Sequence, residues 1–287
     1  MSPKDLFAVL IAIAVWAGNI IAVKAGVAEL PPLLMTAMRL AMVGIVLLPF
    51  APPWRIARTQ WKWIVMLSAT FSTLHFSLMF IGLGMAEAGT GAILLQMGTP
   101  LAIVLGVLLF DETMARRHWV GLAVSLMGVA ILTFSPSMPG ALASFLLLGS
   151  ALAWAASNII VKHARIPDLM AMMCWSSLLG VPQVLLASWM FEHGQAHAVM
   201  EASWHAWLAT AYCALGSSVL GYWIWYRQLE RYPVSKLAPF SLLTPVLSTL
   251  LGVWLLKDSA NLIKIIGIST AVLGVGVLNS TRVEGKQ

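Results

Sequence analysis

Trp16-Ala17-Gly18-Asn19-Ile20-Ile21-Ala22-Val23-Lys24 returns, 138 positions on, as Trp154-Ala155-Ala156-Ser157-Asn158-Ile159-Ile160-Val161-Lys162. Each copy closes an apolar run with a lysine. Each also carries a tryptophan and an asparagine inside that run, where a polar group is costly in lipid. Further pairs follow in the same order: Thr99-Pro100 with Thr244-Pro245, Gly106-Val107 with Gly252-Val253, and Glu112, Gly121 and Gly128 with Asp258, Gly267 and Gly274. Apolar helices produce single matches by chance. Four in one order, at offsets of 138 to 146, mark a duplicated chain.

Composition supplies the medium. Apolar residues are 60% of the 287, charged residues 10%, and the mean hydropathy is +0.88. A soluble domain carries about 25% charged residues, so this chain has too little polar surface for water and needs lipid around it. Runs near the ~20 apolar residues that cross about 30 Å of hydrocarbon recur at 6–23, 33–50, 64–86, 89–110, 119–134, 141–161, 169–191, 204–226, 237–256 and 262–280. The first could also be read as a signal anchor, but Trp16, Gly18 and Asn19 interrupt it and no small-x-small cleavage site follows. The expectation is an all-α integral membrane fold of ten transmembrane helices, with repeats at 1–137 and 138–287. Five is odd, so the second repeat enters from the opposite side and the repeats are inverted. Inverted halves can exchange conformations, which places a transport site between them near the bilayer midplane.

The basic residues orient the chain. With the N-terminus in the cytoplasm, Lys4, Arg55, Arg58, Lys62, Arg116, Arg117, Lys162, Arg165, Arg227, Arg231, Lys236, Arg282 and Lys286 all fall inside, leaving Lys24, Lys257 and Lys264 outside and Arg39 within a span. That bias follows the positive-inside rule and puts both termini in the cytoplasm, with the inner membrane as the location. The net charge of +6 forms no basic stripe, so nucleic acid is not a partner; the partners are membrane lipid and a small-molecule substrate. Connections are short, the longest being 192–203. The absence of a Gly-x4-Gly-Lys-Ser/Thr loop argues against ATP-driven pumping, and no cofactor is implied. Cys174 and Cys213 lie in apolar runs and read as inert thiols.

The duplicated Trp/Asn helix, the duplicated Thr-Pro helix, and an acidic residue followed by two spaced glycines at the end of each half resemble the drug/metabolite transporter superfamily, specifically its ten-helix EamA-type carriers. The resemblance covers essentially the whole chain, and within the group it is most similar to exporters of aromatic and other neutral amino acids. Asp258 stands where that pattern usually has Glu. The resemblance implies a secondary exporter and not an enzyme.

Binding candidates follow from polar and aromatic residues inside spans. Trp16 with Asn19, and Trp154 with Asn158, each share a helix face; they line a cavity or pin helix to helix. His75, with Ser72 and Met79 on its face, bonds a substrate or a neighbouring helix. Gln96 and Thr99 pair by symmetry with Ser241 and Thr244, and Tyr222 is the deepest of an aromatic cluster with Trp225 and Tyr226. Pro100 and Pro245 each remove a backbone hydrogen bond and read as helix kinks. Arg39 pairs with a substrate carboxylate or snorkels to the interface. Trp54, Trp61, Trp63, Trp119, Trp204 and Trp207 sit near span ends as headgroup anchors. His193, His197, Glu201 and His205 recur every four residues, but Gly194 weakens the helix that a metal face needs, so they read as a soluble loop. No Asp or Glu lies inside a span, which leaves His75 as the one proton carrier or leaves transport uncoupled. The competing readings are a lipid-modifying membrane enzyme, a drug/metabolite-type carrier for another small metabolite or drug, and a channel or scaffold.

Overall fold

The computed structural model describes residues 2–110, 116–132, 135–136, 138–164, 168–232, 240 and 243–279, and among these every regular element is helical. In the first half, α1 (Pro3–Val27) and α2 (Pro32–Leu47) are followed by one continuous run made of α3 (Trp61–Leu67), a wide-turned segment π1 (Ser68–His75) and α4 (Phe76–Gly84). Then come α5 (Ala88–Gln96), α6 (Gly98–Phe110) and α7 (Arg116–Leu132). The second half holds α8 (Ala141–Ala164), α9 (Leu169–Phe191) and the short α10 (Gln195–Glu201). It continues as α11 (Trp204–Ala211), π2 (Tyr212–Gly221) and α12 (Tyr222–Arg231), then α13 (Leu243–Leu255) and α14 (Leu262–Asn279).

Five helical runs are by themselves long and apolar enough to cross a membrane: Pro3–Val27, Pro32–Phe50, Arg58–Gly84, Ala141–Val161 and Leu169–Phe191. Trp119–Leu132, Leu243–Leu255 and Leu262–Val277 are shorter apolar helices. Large apolar side chains face outward along them, as with Phe145, Trp254 and Leu273. A water-facing surface of that kind would aggregate, whereas lipid accepts it.

Two differences from the sequence expectation matter. The third and eighth spans, expected as single helices over 64–86 and 204–226, carry the π1 and π2 segments. The fourth, expected as one helix over 89–110, is two helices that part at Met97. Pro100 is the third residue of α6 and Pro245 the third of α13. Pro100 thus sits in a first turn, where its missing N–H would have had no intrahelical partner.

The duplicated glycines are explained by α7 and α14, the most extensive helix pair among the described residues. A Cβ on Gly128 would overlap the backbone of Ala271, and one on Gly274 the backbone of Ser125. Small residues let the two backbones touch, which is how helices pack when lipid supplies no hydrophobic drive.

Candidate functional site

Both wide-turned segments face the opposite half. Segment π2 packs on α1 and α2, and π1 packs on α8 and α9. A π-turn takes its carbonyls out of the regular i→i+4 ladder, and such turns gather at functional sites. Here side chains from the other half reach those carbonyls. Trp16 Nε1 donates to Ser217 O at 3.3 Å, and Arg39 Nε to Cys213 O at 3.1 Å. The Tyr212 hydroxyl donates back to Val15 O at 3.0 Å.

Arg39 is 1% exposed and does not snorkel. Its Nη2 donates to Ser218 Oγ at 2.7 Å, and its guanidinium lies 3.5 Å from the Phe76 ring centroid. Among the described residues no carboxylate pairs with it, and Nη1 has no partner.

Gln183 stands 144 positions after Arg39, on α9, and does the matching work for π1. Its Nε2 donates to Ser68 Oγ at 2.8 Å, and its Oε1 accepts from Thr73 Oγ1 at 3.0 Å. A further bond to π1 comes from Ser157, whose Oγ donates to Thr70 Oγ1 at 3.0 Å. The repeat is visible in this pair of side chains, with one difference: a charged side chain serves π2 where a neutral amide serves π1.

A narrow cavity opens beside Arg39, lined also by Phe71, Phe76, Ser176, Ser177 and Tyr222. Its free volume of about 10 Å³ is room for one water. Of the sequence candidates, Trp16 and Tyr222 meet next to this cavity, with ring centroids 5.3 Å apart, and Trp225 lies 5.2 Å from Trp16. Asn19 is buried on α1 and its Oδ1 has no partner among the described residues. His75 ends π1 and is tied to α8: Nδ1 lies 3.0 Å from Ser150 O and 2.8 Å from Ser150 Oγ, which donates to the His75 carbonyl at 2.9 Å. Its ring also stacks on Phe71 at 5.5 Å. Met79 is buried in the core with Phe80 and Leu83.

Trp154, Asn158 and Gln96 do not line this cavity. Trp154 packs on Gly98, where an added Cβ would come within 2.7 Å of the indole. Asn158 is exposed and bonds Trp154 O of its own helix at 3.0 Å. Gln96 is half-buried at the end of α5. Ser241 falls outside the described residues. In the histidine series, Gly194 adopts φ 73°, α10 ends at Glu201, and His197 pairs with Glu201 at 3.0 Å.

The acidic residues have a different task from the one sought in the spans: they join the halves at the helix ends. At the end carrying Glu87, Glu192 accepts from Leu33 N at 2.7 Å and Leu34 N at 3.0 Å, capping α2, which has no cap of its own. Asp258 accepts from Ala88 N at 2.7 Å and caps α5 in the same way. Glu87 pairs with the buried Lys264 and accepts from Ser259 N at 3.2 Å; Lys24 donates to Ala86 O. Glu29 accepts from Ser203 N at 2.7 Å and from its hydroxyl at 2.8 Å. Those Ser203 bonds hold the Glu29 carboxyl below its ordinary value. For Glu87 burial pushes upward, but the bonds from Lys264 and Ser259 outweigh it and leave the carboxyl below its ordinary value. At the opposite end, Asp5 meets Arg231 at 3.0 Å and Tyr232 at 2.7 Å, and Arg55 stands 3.8 Å from Asp168.

Comparison with known proteins agrees with this architecture. The model of the EamA-like transporter family matches twice, at residues 4–134 and 141–280. A protein of Salmonella typhimurium named "Probable amino-acid metabolite efflux pump" is 31% identical, the alignment covering 99% of this chain and 100% of that one. One of the same name from Escherichia coli is 28% identical over 96% and 94%. A solved crystal structure at 20% identity superposes over 96% of each chain with a TM-score of 0.64, which speaks for the fold alone. Two matched halves on a two-repeat helical membrane fold leave one conclusion: the chain belongs to the EamA-like transporter family.

Proposed function

We propose that this protein is a secondary exporter in the cell inner membrane, moving neutral amino acids, aromatic or otherwise bulky and apolar, and related metabolites. It works by alternating access between halves spanning 1–137 and 138–287, with both termini cytoplasmic and the Glu87 end outermost. The observation that carries this is the seam at that end. Four carboxylates, Glu29, Glu87, Glu192 and Asp258, each bond the opposite half. A face closed by separate polar bonds can open by exchanging them for water, while the apolar surface stays in lipid. The cavity at Arg39 has room for one water and none for an amino acid, so substrate enters only when the helices around it part. The Trp16, Tyr222 and Trp225 rings support an apolar side chain in the substrate. The unpartnered Asn19 Oδ1 supports an ammonium donor.

The test is flux. In proteoliposomes the protein should move labelled phenylalanine or leucine saturably, with inhibition by other neutral amino acids and none by sugar phosphates. Absence of flux for every neutral amino acid tried would falsify the reading.

A further inference from the structure

Arg39 carries a charge that its place in the fold does not require. Its bonds to Cys213 O and Ser218 Oγ hold π2 against α2. At the mirrored position, Gln183 bonds Ser68 and Thr73 of π1 with a neutral amide. Burying a guanidinium that no acid neutralises is far costlier than burying a bonded amide. Nη1 nonetheless has no partner among the described residues, at 1% exposure of the side chain. The cavity that the guanidinium borders brings Ser176, Ser177 and the Tyr222 ring to the same place.

We infer that Arg39 is the receptor for a carboxylate on the transported molecule, so the substrates of this protein are carboxylates as a class. This rests on the exporter reading and deepens it. The guanidinium is held by a carbonyl, a hydroxyl and the Phe76 face, all weaker partners than an anion. A carboxylate entering the parted cavity meets Nη1 without displacing the two bonds that fasten π2. Arginine suits this better than lysine because its fork keeps Nε and Nη2 on the protein and offers Nη1 to the ligand. A zwitterion bound this way meets the cation at its acidic end, and its side chain is free to lie toward the Trp16 and Tyr222 rings.

The experiment is competition against counterflow of labelled phenylalanine in proteoliposomes. The competitors are 3-phenylpropionate, which keeps the carboxylate and lacks the amine, and phenethylamine, which keeps the amine and lacks the carboxylate. With the wild-type protein, phenethylamine should compete about tenfold or more weakly than 3-phenylpropionate, the ratio expected for loss of a charge-assisted hydrogen bond. Arg39→Gln, which copies the mirrored residue, should insert and melt like the wild type. It should raise the KM for phenylalanine about tenfold or more and abolish discrimination between the competitors. Arg39→Lys should fall between the two. Equal competition by both compounds in the wild type, with phenylalanine flux intact, overturns the carboxylate assignment and leaves the exporter reading standing. Absence of flux for phenylalanine and every other neutral amino acid overturns both. Should Arg39→Gln fail to fold, the wild-type comparison still decides.

Discussion

The rings of Trp16 and Tyr222 lie 5.3 Å apart, tilted by 56°, where the first helix of one half meets the wide-turned span of the other. Trp16 is fastened there by its bond to Ser217 O. Trp16→Ala is expected to raise the KM for an aromatic amino acid roughly tenfold, from loss of on the order of 1–3 kcal/mol of apolar contact. Trp16→Phe keeps a ring, loses the bond, and should do less. Transport kinetics in proteoliposomes measure both, and an unchanged KM in Trp16→Ala would show that the indole only fills space.

The seam should respond to acid. Glu87 is held below its ordinary value of 4.5 in the folded protein. Its contribution to stability is complete above that ordinary value and is lost as pH falls through the lower folded one. Glu87→Gln should therefore melt at lower temperature than the wild type near neutral pH, with the difference shrinking below about pH 4.5. Melting curves from pH 7 to pH 3 test this, and a difference that does not depend on pH would remove charge from the explanation.

At the α7–α14 crossing the glycines have no room for a methyl group. Gly128→Ala and Gly274→Ala would each drive a Cβ into backbone, so each should destabilise by about 1–3 kcal/mol as an overpacked contact does. Gly140→Ala is the control, since nothing lies within 4 Å of its added Cβ. Thermal denaturation in detergent compares the three, and equal melting temperatures would contradict the close crossing.

Coupling follows from where the acids are. Among the described residues, Asp5, Glu29, Glu87, Asp168, Glu192, Glu201, Glu230 and Asp258 all lie at helix ends or in connections. His75 is engaged by Ser150. Flux of a zwitterion should therefore be electroneutral and downhill, whereas a co-moved proton would gain or cost about 2.3 kcal/mol per 100 mV. Uphill accumulation under an imposed pH gradient, lost in His75→Gln, would sink this prediction.

Much of the architecture was legible in the sequence because it rests on residue types with one physical meaning. Gly121, Gly128, Gly267 and Gly274 read as a repeat, and their spacing is that of a helix crossing. The two halves were legible from the repeated residue pairs, and the family model matches each of them. The wide turns were not, since no residue in 68–75 or 212–221 demands one; their cross-half bonds, to carbonyls and a hydroxyl of π2 and mainly to hydroxyls of π1, come from residues far away in sequence. Arg39 stayed open between a ligand and the interface for the same reason: its depth is set by Cys213 O and Ser218, 174 and 179 positions away. Asn158 shares a face with Trp154 as read, yet its amide turns back onto its own helix. Asp258, noted in the sequence only as standing where the pattern usually has Glu, caps the first turn of α5.

The caps borrowed across the seam also impose an order in time. A ribosome finishes Leu33 and Leu34 well before it reaches Glu192, 159 and 158 residues later, and Ala88 waits 170 residues for Asp258. Throughout that interval the starts of α2 and α5 stand with unanswered N–H groups, which water or lipid headgroups must serve. The first half therefore leaves synthesis with two helix ends unfinished, and translation of the second half is what completes them.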